Sequence, residues 1–273
     1  ATASADRIKE VLDARNERDI TIADTEALST QEDYSKASPH IEFKNVFFKY
    51  DNSRFLINDI SLKLPHKATL GIIGATGSGK TTLAQLLMRF YDIKSGEILI
   101  NGKDIRYMTL YDLRSRFGVV FQNDTLFKST VEENLSLGRD IDLIQIKQAA
   151  QHAQAAKFIE EAGGYDAEVA IKGMNFSGGQ KQRLLLTRAL AGKPEIIILD
   201  DASSALDYKT DAKLRSALDT NYKDSTKIII TQRISSIMHA DQIMVIDEGK
   251  VIGLGKHEDL IRNCQLYQEI SAS

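Results

Sequence analysis

The sequence predicts an α/β fold, a sheet covered by helices with a helix-rich segment inserted between its strands. Three observations predict it. Continuously apolar runs of strand length, such as Ile196–Leu199, recur along the chain, as in strands buried on both faces. Amphipathic helical patterns lie between them, with Thr81–Tyr91 placing Leu83, Leu86, Leu87 and Phe90 on one face. A Gly-rich turn, Gly74–Thr81, joins the apolar run Leu70–Ile73 to that helical pattern.

In chain order, Ala5–Arg18 carries Ile8, Val11 and Leu12 at helical spacing among charges, which predicts a short amphipathic helix. Residues 19–38 are polar and Ser/Thr-rich, a linker that ends at Pro39. The folded domain is expected over 39–273. Strands are predicted at Ile41–Tyr50, Thr69–Ile73, Glu97–Asn101, Gly118–Gln122, Glu195–Asp200, Lys227–Thr231 and Gln242–Asp247. Ile141–Glu161 and Gly178–Ala191 read as helices, the second stopped by Gly192 and Pro194. The segment from about 123 to 191 is therefore expected to be a helical subdomain, and Ile261–Ile270 a terminal helix on the core.

Composition narrows the class. The chain has 273 residues, 42% hydrophobic and 27% charged, enough apolar content for a packed core. Its 35 Lys+Arg against 38 Asp+Glu leave a net charge of −3, which excludes nucleic-acid binding driven by bulk charge. Cys264 is the single cysteine, so no internal disulfide forms. No apolar run approaches the roughly 20 residues that span a bilayer, and no signal-peptide pattern is present. The chain begins at Ala1 without a methionine, and the expectation is a soluble piece of a longer protein. His40, His66, His152, His239 and His257 lack metal-ligand spacing and are expected at the surface or in loops; Met238 and Met244 are expected in the core.

Gly74-Ala75-Thr76-Gly77-Ser78-Gly79-Lys80-Thr81 satisfies every constrained position of a phosphate-binding loop, with Thr82 next in the helix. Glycines allow backbone N–H groups to converge on phosphate oxygens, and the helix N-terminus adds positive dipole character. ATP with Mg²⁺ is the expected ligand: Lys80 reaches the β- and γ-phosphates and the Thr81 hydroxyl binds the metal. The matching carboxylate is Asp200, at the tip of the apolar run 196–199, where it can orient the water shell of Mg²⁺.

A second motif, Phe176-Ser177-Gly178-Gly179-Gln180 followed by Lys181-Gln182-Arg183, opens a helix. It resembles the signature of ATP-binding-cassette (ABC) ATPases, with Phe in the usual Leu position. The resemblance covers about residues 39–270. It implies a phosphate-loop NTPase core of RecA-like type, an inserted helical subdomain and an N-terminal antiparallel β region. It also implies that Ser177, Gly178, Gly179 and Gln180 form an anion site for the γ-phosphate bound by a partner subunit. Gln122 matches the loop glutamine that contacts Mg²⁺ and senses membrane domains. Ser204-Ala205-Leu206-Asp207 looks like the loop crossing the dimer interface, and Tyr50 matches the aromatic that stacks on adenine. Such stacking contributes roughly 1–3 kcal/mol. Residues 3–13 resemble the exit from the last transmembrane helix of ABC exporters, and Glu168-Val169 with Lys172-Gly173 resembles an exporter loop touching coupling helices, although Ala170 and Ile171 depart from it.

Two positions break the family pattern. The residue after the magnesium Asp is usually Glu, which polarises the attacking water; here it is Asp201. The switch histidine after the strand at 227–230 is replaced by Gln232, which forms hydrogen bonds but carries no imidazole proton. The expected function is therefore the ATP-binding domain of an ABC exporter at the cytoplasmic face of a membrane. It binds MgATP well and hydrolyses it slowly. It pairs with a second, non-identical and competent cassette, as in the degenerate half of a heterodimeric multidrug-type exporter. Asp201, Gln232, Gln122 and Lys80 are the expected catalytic set, and Thr81, Gln122 and Asp200 the metal set. An importer ATPase subunit and a regulatory ATP-binding module are the alternatives. A mechanical ABC ATPase is disfavoured, because no sustained heptads separate Lys80 from Ser177.

Overall fold

Ile41-Glu42-Phe43-Lys44 buries alternate residues and needs cover on one side, whereas Ile196–Asp200 is buried at every position and needs it on both. The computed structural model describes Lys9, residues 39–50 and residues 56–272, and it builds separate sheets from these two kinds of strand. The strands are β1 (Ile41–Lys49), β2 (Leu56–Leu64), β3 (Thr69–Ile73), β4 (Ser95–Ile100), β5 (Lys103–Asp104), β6 (Phe117–Val120), β7 (Ser129–Thr130), β8 (Glu168–Val169), β9 (Ile196–Asp200), β10 (Thr226–Ile230), β11 (Gln242–Asp247) and β12 (Lys250–Gly255). An antiparallel sheet has the order β2-β1-β4-β5. A six-stranded sheet has the order β12-β11-β3-β10-β9-β6, parallel except for β12.

Helices α1 (Lys80–Leu87), α2 (Leu110–Arg114), α3 (Val131–Ser136), α4 (Leu143–His152), α5 (Ala156–Glu161), α6 (Gly178–Leu190), α7 (Tyr208–Asn221), α8 (His257–Asn263) and α9 (Gln265–Ala272) complete the described fold. The core falls into three clusters. One joins the antiparallel sheet and α1 to one face of the central strands, through Phe43, Ile60, Leu86 and Ile198. The second seats Leu135, Ile146, Phe158 and Leu184 of the helical segment against Ile197 and Leu199 on the other face. The third packs Tyr267 and Leu260 beside Ile243 and Val245.

Several expectations are corrected. The helix expected over 141–161 is two helices, α4 and α5, because Gln154 lies at φ 59 and interrupts the ladder. The helix expected to reach Tyr91 stops at Leu87; Arg89 turns left-handed at φ 54, and Phe90 is exposed beneath the Arg114 guanidinium, 4.9 Å from its ring centre. Met244 is in the core, but Met238 is exposed. The helix and linker expected over 5–38 lie, Lys9 apart, outside the described residues.

His40 is not at the surface; it is 2% exposed and ties the antiparallel sheet to the parallel one. Thr226 Oγ1 accepts from the Lys67 N–H at 2.9 Å and lies 2.6 Å from His40 Nδ1, while His40 Nε2 lies 2.8 Å from Glu195 Oε1. Arg116 donates to Glu195 Oε2 at 2.6 Å and Asn101 to Oε1 at 3.2 Å. The hydrogen bond from His40 and the Arg116 charge outweigh burial and hold the Glu195 carboxyl down, from 4.5 to about 2. A depressed carboxyl stabilises the fold fully above its unfolded value and loses that contribution as pH falls toward the folded one. Glu195 therefore supports stability above about pH 4.5 and loses it between there and about pH 2. Discounted for solvent screening, the contribution is about 1–2 kcal/mol. Glu195→Gln is expected to lower thermal stability at pH 7 while flattening its pH dependence over that acid window. An unchanged acid slope would contradict this.

Candidate active site

The site begins where β3 runs out. Gly74 passes so close to β11 that a Cβ there would sit 2.0 Å from the Ile246 carbonyl oxygen, so only glycine fits. Gly77, at φ 81, would meet nothing with its Cβ, leaving an open concavity at the loop. Gly79, at φ 108, ends the loop as the residue preceding α1. Ser78 is buried, with Oγ lacking a partner, and its carbonyl accepts from the Gly249 N–H at 3.1 Å.

Lys80 folds its side chain back over the loop. Its ammonium donates to the carbonyls of Gly74 at 2.9 Å and Ala75 at 2.7 Å. Burial lowers its pKa, opposed by the charges of Asp200 and Asp201. The Thr81 hydroxyl donates to Asp200 Oδ2 at 2.5 Å, joining α1 to the tip of β9. Asp200 is 3% exposed; burial raises its pKa, and the bond from Thr81 partly offsets this.

These groups face a cavity of about 270 Å³ at the C-terminal ends of the parallel strands, the usual ligand position in such sheets. It brings together Tyr50, Thr76, Gly77, Gly79, Lys80, Thr81, Thr82, Gln122, Asp200, Asp201 and Gln232, all singled out from the sequence. Gly74, Ala75 and Ser78 support the loop without lining the cavity. Ile230 and Thr231 complete the wall; their only signal in the sequence is their place between the β10 run and Gln232. Asp201 has φ 51, a region in which Asp is enriched, and its N–H donates to Ile230 O at 2.9 Å. Gln232 donates to Thr76 Oγ1 at 3.4 Å, bridging the segment after β10 to the phosphate loop.

Tyr50 lines the cavity with its hydroxyl engaged, 3.1 Å from Thr82 Oγ1 and donating to Gln85 Oε1 at 3.2 Å. Phe48 and Tyr91 pack edge-to-face with its ring, at 4.7 and 5.0 Å. Ser177, Gly178, Gly179 and Gln180 do not line the cavity. They form the start of α6, Ser177 and Gly178 exposed and Gly179 and Gln180 half-buried. There Ser177 Oγ accepts from the Gln180 N–H at 3.3 Å and Gln180 Oε1 accepts from the Ser177 N–H at 2.8 Å. Phe176 turns inward, buried near Phe158 at 6.0 Å, and the Arg183 guanidinium covers Phe158 at 4.6 Å. The departure from Leu is thus absorbed by the helical core. A Cβ on Gly179 would lie 3.2 Å from the Ala205 carbonyl, which places the start of α6 against the loop 203–206. Asp207 caps α7, accepting from the Thr210 N–H at 2.9 Å and hydroxyl at 2.8 Å.

The donor set fits a nucleotide with Mg²⁺. The loop offers an open cradle and a buried ammonium for phosphate, and Thr81, Asp200 and Gln122 offer hard oxygen donors. Among the described residues there is no cluster of three or more His, Cys, Asp or Glu that could hold a metal.

A parallel strand, a glycine turn with a buried lysine, and a carboxylate-tipped strand two places along the same sheet together define a phosphate-loop NTPase domain. The profile of the ABC transporter family matches residues 57–204, and the chain belongs to that family, as its ATP-binding domain. It is 40% identical over 259 residues to a Mycoplasma genitalium protein named as an ABC transporter ATP-binding protein, covering 89% of this chain and 41% of that one. It is 39% identical over 233 residues to a Bacillus subtilis protein named as a multidrug export ATP-binding/permease protein, covering 84% of this chain and 40% of that one. Its fold matches a solved bacterial Atm1-family ABC exporter with ATP bound, with a TM-score of 0.82 and 38% identity over 87% of this chain and 42% of that one. The chain thus spans about two fifths of the length of these relatives. No described helix is long and apolar enough to cross a membrane.

Proposed function

We propose that this chain is the nucleotide-binding cassette of an ABC exporter, that it binds MgATP, and that its own site hydrolyses ATP slowly. The observation carrying this reading is the single cavity onto which Lys80, Thr81, Asp200, Asp201 and Gln232 all open. Lys80 and the loop N–H groups hold phosphate, and Thr81, Asp200 and Gln122 hold the metal, which supplies charge neutralisation at the transferring phosphoryl group. Tyr50 offers its ring to the base. Asp201 and Gln232 stand at the reacting end, where a longer carboxylate and an imidazole would orient water and move a proton.

Ser177–Gln180, away from the cavity and exposed at Ser177 and Gly178, suits the role of a signature offered to a partner's nucleotide. The partner is a second cassette, non-identical and catalytically competent. Residues 1–38 link the cassette to transmembrane helices whose coupling segments it drives, at the cytoplasmic face of the membrane. The relatives named for multidrug export support the export direction.

Equilibrium binding of MgATP tests the nucleotide reading. Lys80→Ala removes the ammonium that lines the cavity and bonds the loop carbonyls, and it is expected to weaken binding about 10²-fold, some 2.7 kcal/mol. Equal affinity in the variant and the unaltered chain would contradict it.

A further inference from the structure

A second cleft, of about 200 Å³, opens at the opposite ends of the parallel strands. Thr69 and Lys227, paired at the starts of β3 and β10, form its floor; α7 and residues 235–240 form its walls. Its inner surface carries more donors than the protein fills. Lys227 is 5% exposed, and its ammonium makes one hydrogen bond, 3.4 Å long, to the Tyr222 carbonyl. Arg215 spends its terminal nitrogens on Asp211 at 3.1 Å and on the Ser235 carbonyl at 2.5 Å, leaving Nε buried without an acceptor. Ser236 Oγ is likewise buried without a partner.

The acidic groups nearby do not fill these donors. Asp241 accepts from the Thr69 N–H at 2.7 Å, and Asp219 is exposed at the rim with His239. Burial lowers the Lys227 pKa and the charges of Asp219 and Asp241 oppose this, but among the described residues neither carboxylate pairs directly with the ammonium. Ala212, Leu218, Ile229 and Ala240 supply apolar walls. A buried cation and two orphan polar atoms around one small cleft are the complement of an anionic group with room for a few further atoms.

We propose that this cleft binds a small oxyanion, a carboxylate or phosphate group, through Lys227, Arg215 Nε and Ser236 Oγ. The site acts on the nucleotide cavity through the chain segment it holds. Arg215 and Ser236 also line an adjoining pocket whose far wall includes Ser203 and Thr231. Those two residues flank the loop bearing Asp201 and the segment bearing Gln232. An occupied cleft braces residues 231–240, whose first two residues line the nucleotide cavity.

The test uses the chain saturated with Mg²⁺ and a non-hydrolysable ATP analogue, so that the phosphate loop is filled through the γ-phosphate position, at constant ionic strength. Inorganic phosphate and acetate are titrated separately while the thermal midpoint and amide exchange of residues 231–240 are followed. At least one probe is expected to raise the midpoint and slow exchange in the unaltered chain, and which one does so identifies the group. Lys227→Met should abolish the response, and Ser236→Ala should weaken it several-fold. No response to either probe means that the cleft holds water only and overturns the proposal, as does an undiminished response in Lys227→Met. Should Lys227→Met fail to fold, an unchanged response in Ser236→Ala overturns it equally.

Discussion

Asp201→Glu combined with Gln232→His is expected to raise ATP turnover by about 10²-fold or more, roughly 2.7 kcal/mol off the barrier. Both side chains already line the cavity, so the substitutions act where Lys80, Thr81 and Asp200 are in place. The added methylene extends the carboxylate by about one C–C bond, roughly 1.5 Å, and a misplacement of about 1 Å can cost on the order of 10² in rate. Imidazole adds a group that titrates near neutrality, which the Gln232 amide lacks. The left-handed backbone at position 201 suits Asp better than Glu, so the variant should lose a little stability, under about 1 kcal/mol. Steady-state phosphate release at high chain concentration, where a second copy can offer Ser177–Gln180, measures the gain. Equal turnover in variant and unaltered chain would show that these two residues are not what limits the reaction.

Arg188→Ala is expected to destabilise the fold by about 3 kcal/mol or more. Arg188, on α6, is 6% exposed, and its guanidinium donates to the carbonyls of Asn134 at 2.8 Å and Thr125 at 3.0 Å and to Asn134 Oδ1 at 3.2 Å. Asn134 in turn donates to the carbonyls of Phe127 at 2.9 Å and Thr130 at 3.0 Å. Truncation leaves the buried Asn134 carbonyl without its Arg188 donor, at a cost of about 1–3 kcal/mol. It takes the donor from the Thr125 carbonyl and leaves Asn134 Oδ1 only the Phe127 N–H at 2.8 Å. It also cuts the polar tie between α6 and residues 125–134 and removes a buried side-chain stem. Arg188→Lys should rescue little, because an ammonium cannot reproduce the planar fork. Urea unfolding checks this, and a loss below about 1 kcal/mol would contradict it.

How much of this was legible depended on where the information lay. Thr69–Ile73 and Gln242–Asp247 match their expected bounds because their inner residues are buried on both faces, so Leu70–Ile73 and Ile243–Ile246 carry no polar side chain. β2 escaped detection because Asp59, at φ 56, interrupts its alternation opposite the irregular register of β1. β12 carries no fully buried residue, and α7 buries only Asp211, Leu214 and Leu218 among 14 residues. The phosphate loop was readable because its chemistry is local and consecutive. His40 was not, since its partners Thr226 and Glu195 lie 186 and 155 positions away and meet it only through sheet packing. The same holds for the Tyr50 hydroxyl on Thr82 and Gln85, and for the cleft around Lys227.

In this cassette nucleotide binding is expected to be intact while the chemistry at Asp201 and Gln232 is slow. The most direct measurement is a single turnover with the chain in excess over labelled ATP and Mg²⁺, run beside the Asp201→Glu, Gln232→His variant, with bound and converted nucleotide counted in the same samples. Both chains are expected to capture ATP equally, with the label still ATP in the unaltered chain when the variant has converted it to ADP. Equal capture followed by equal conversion would contradict it.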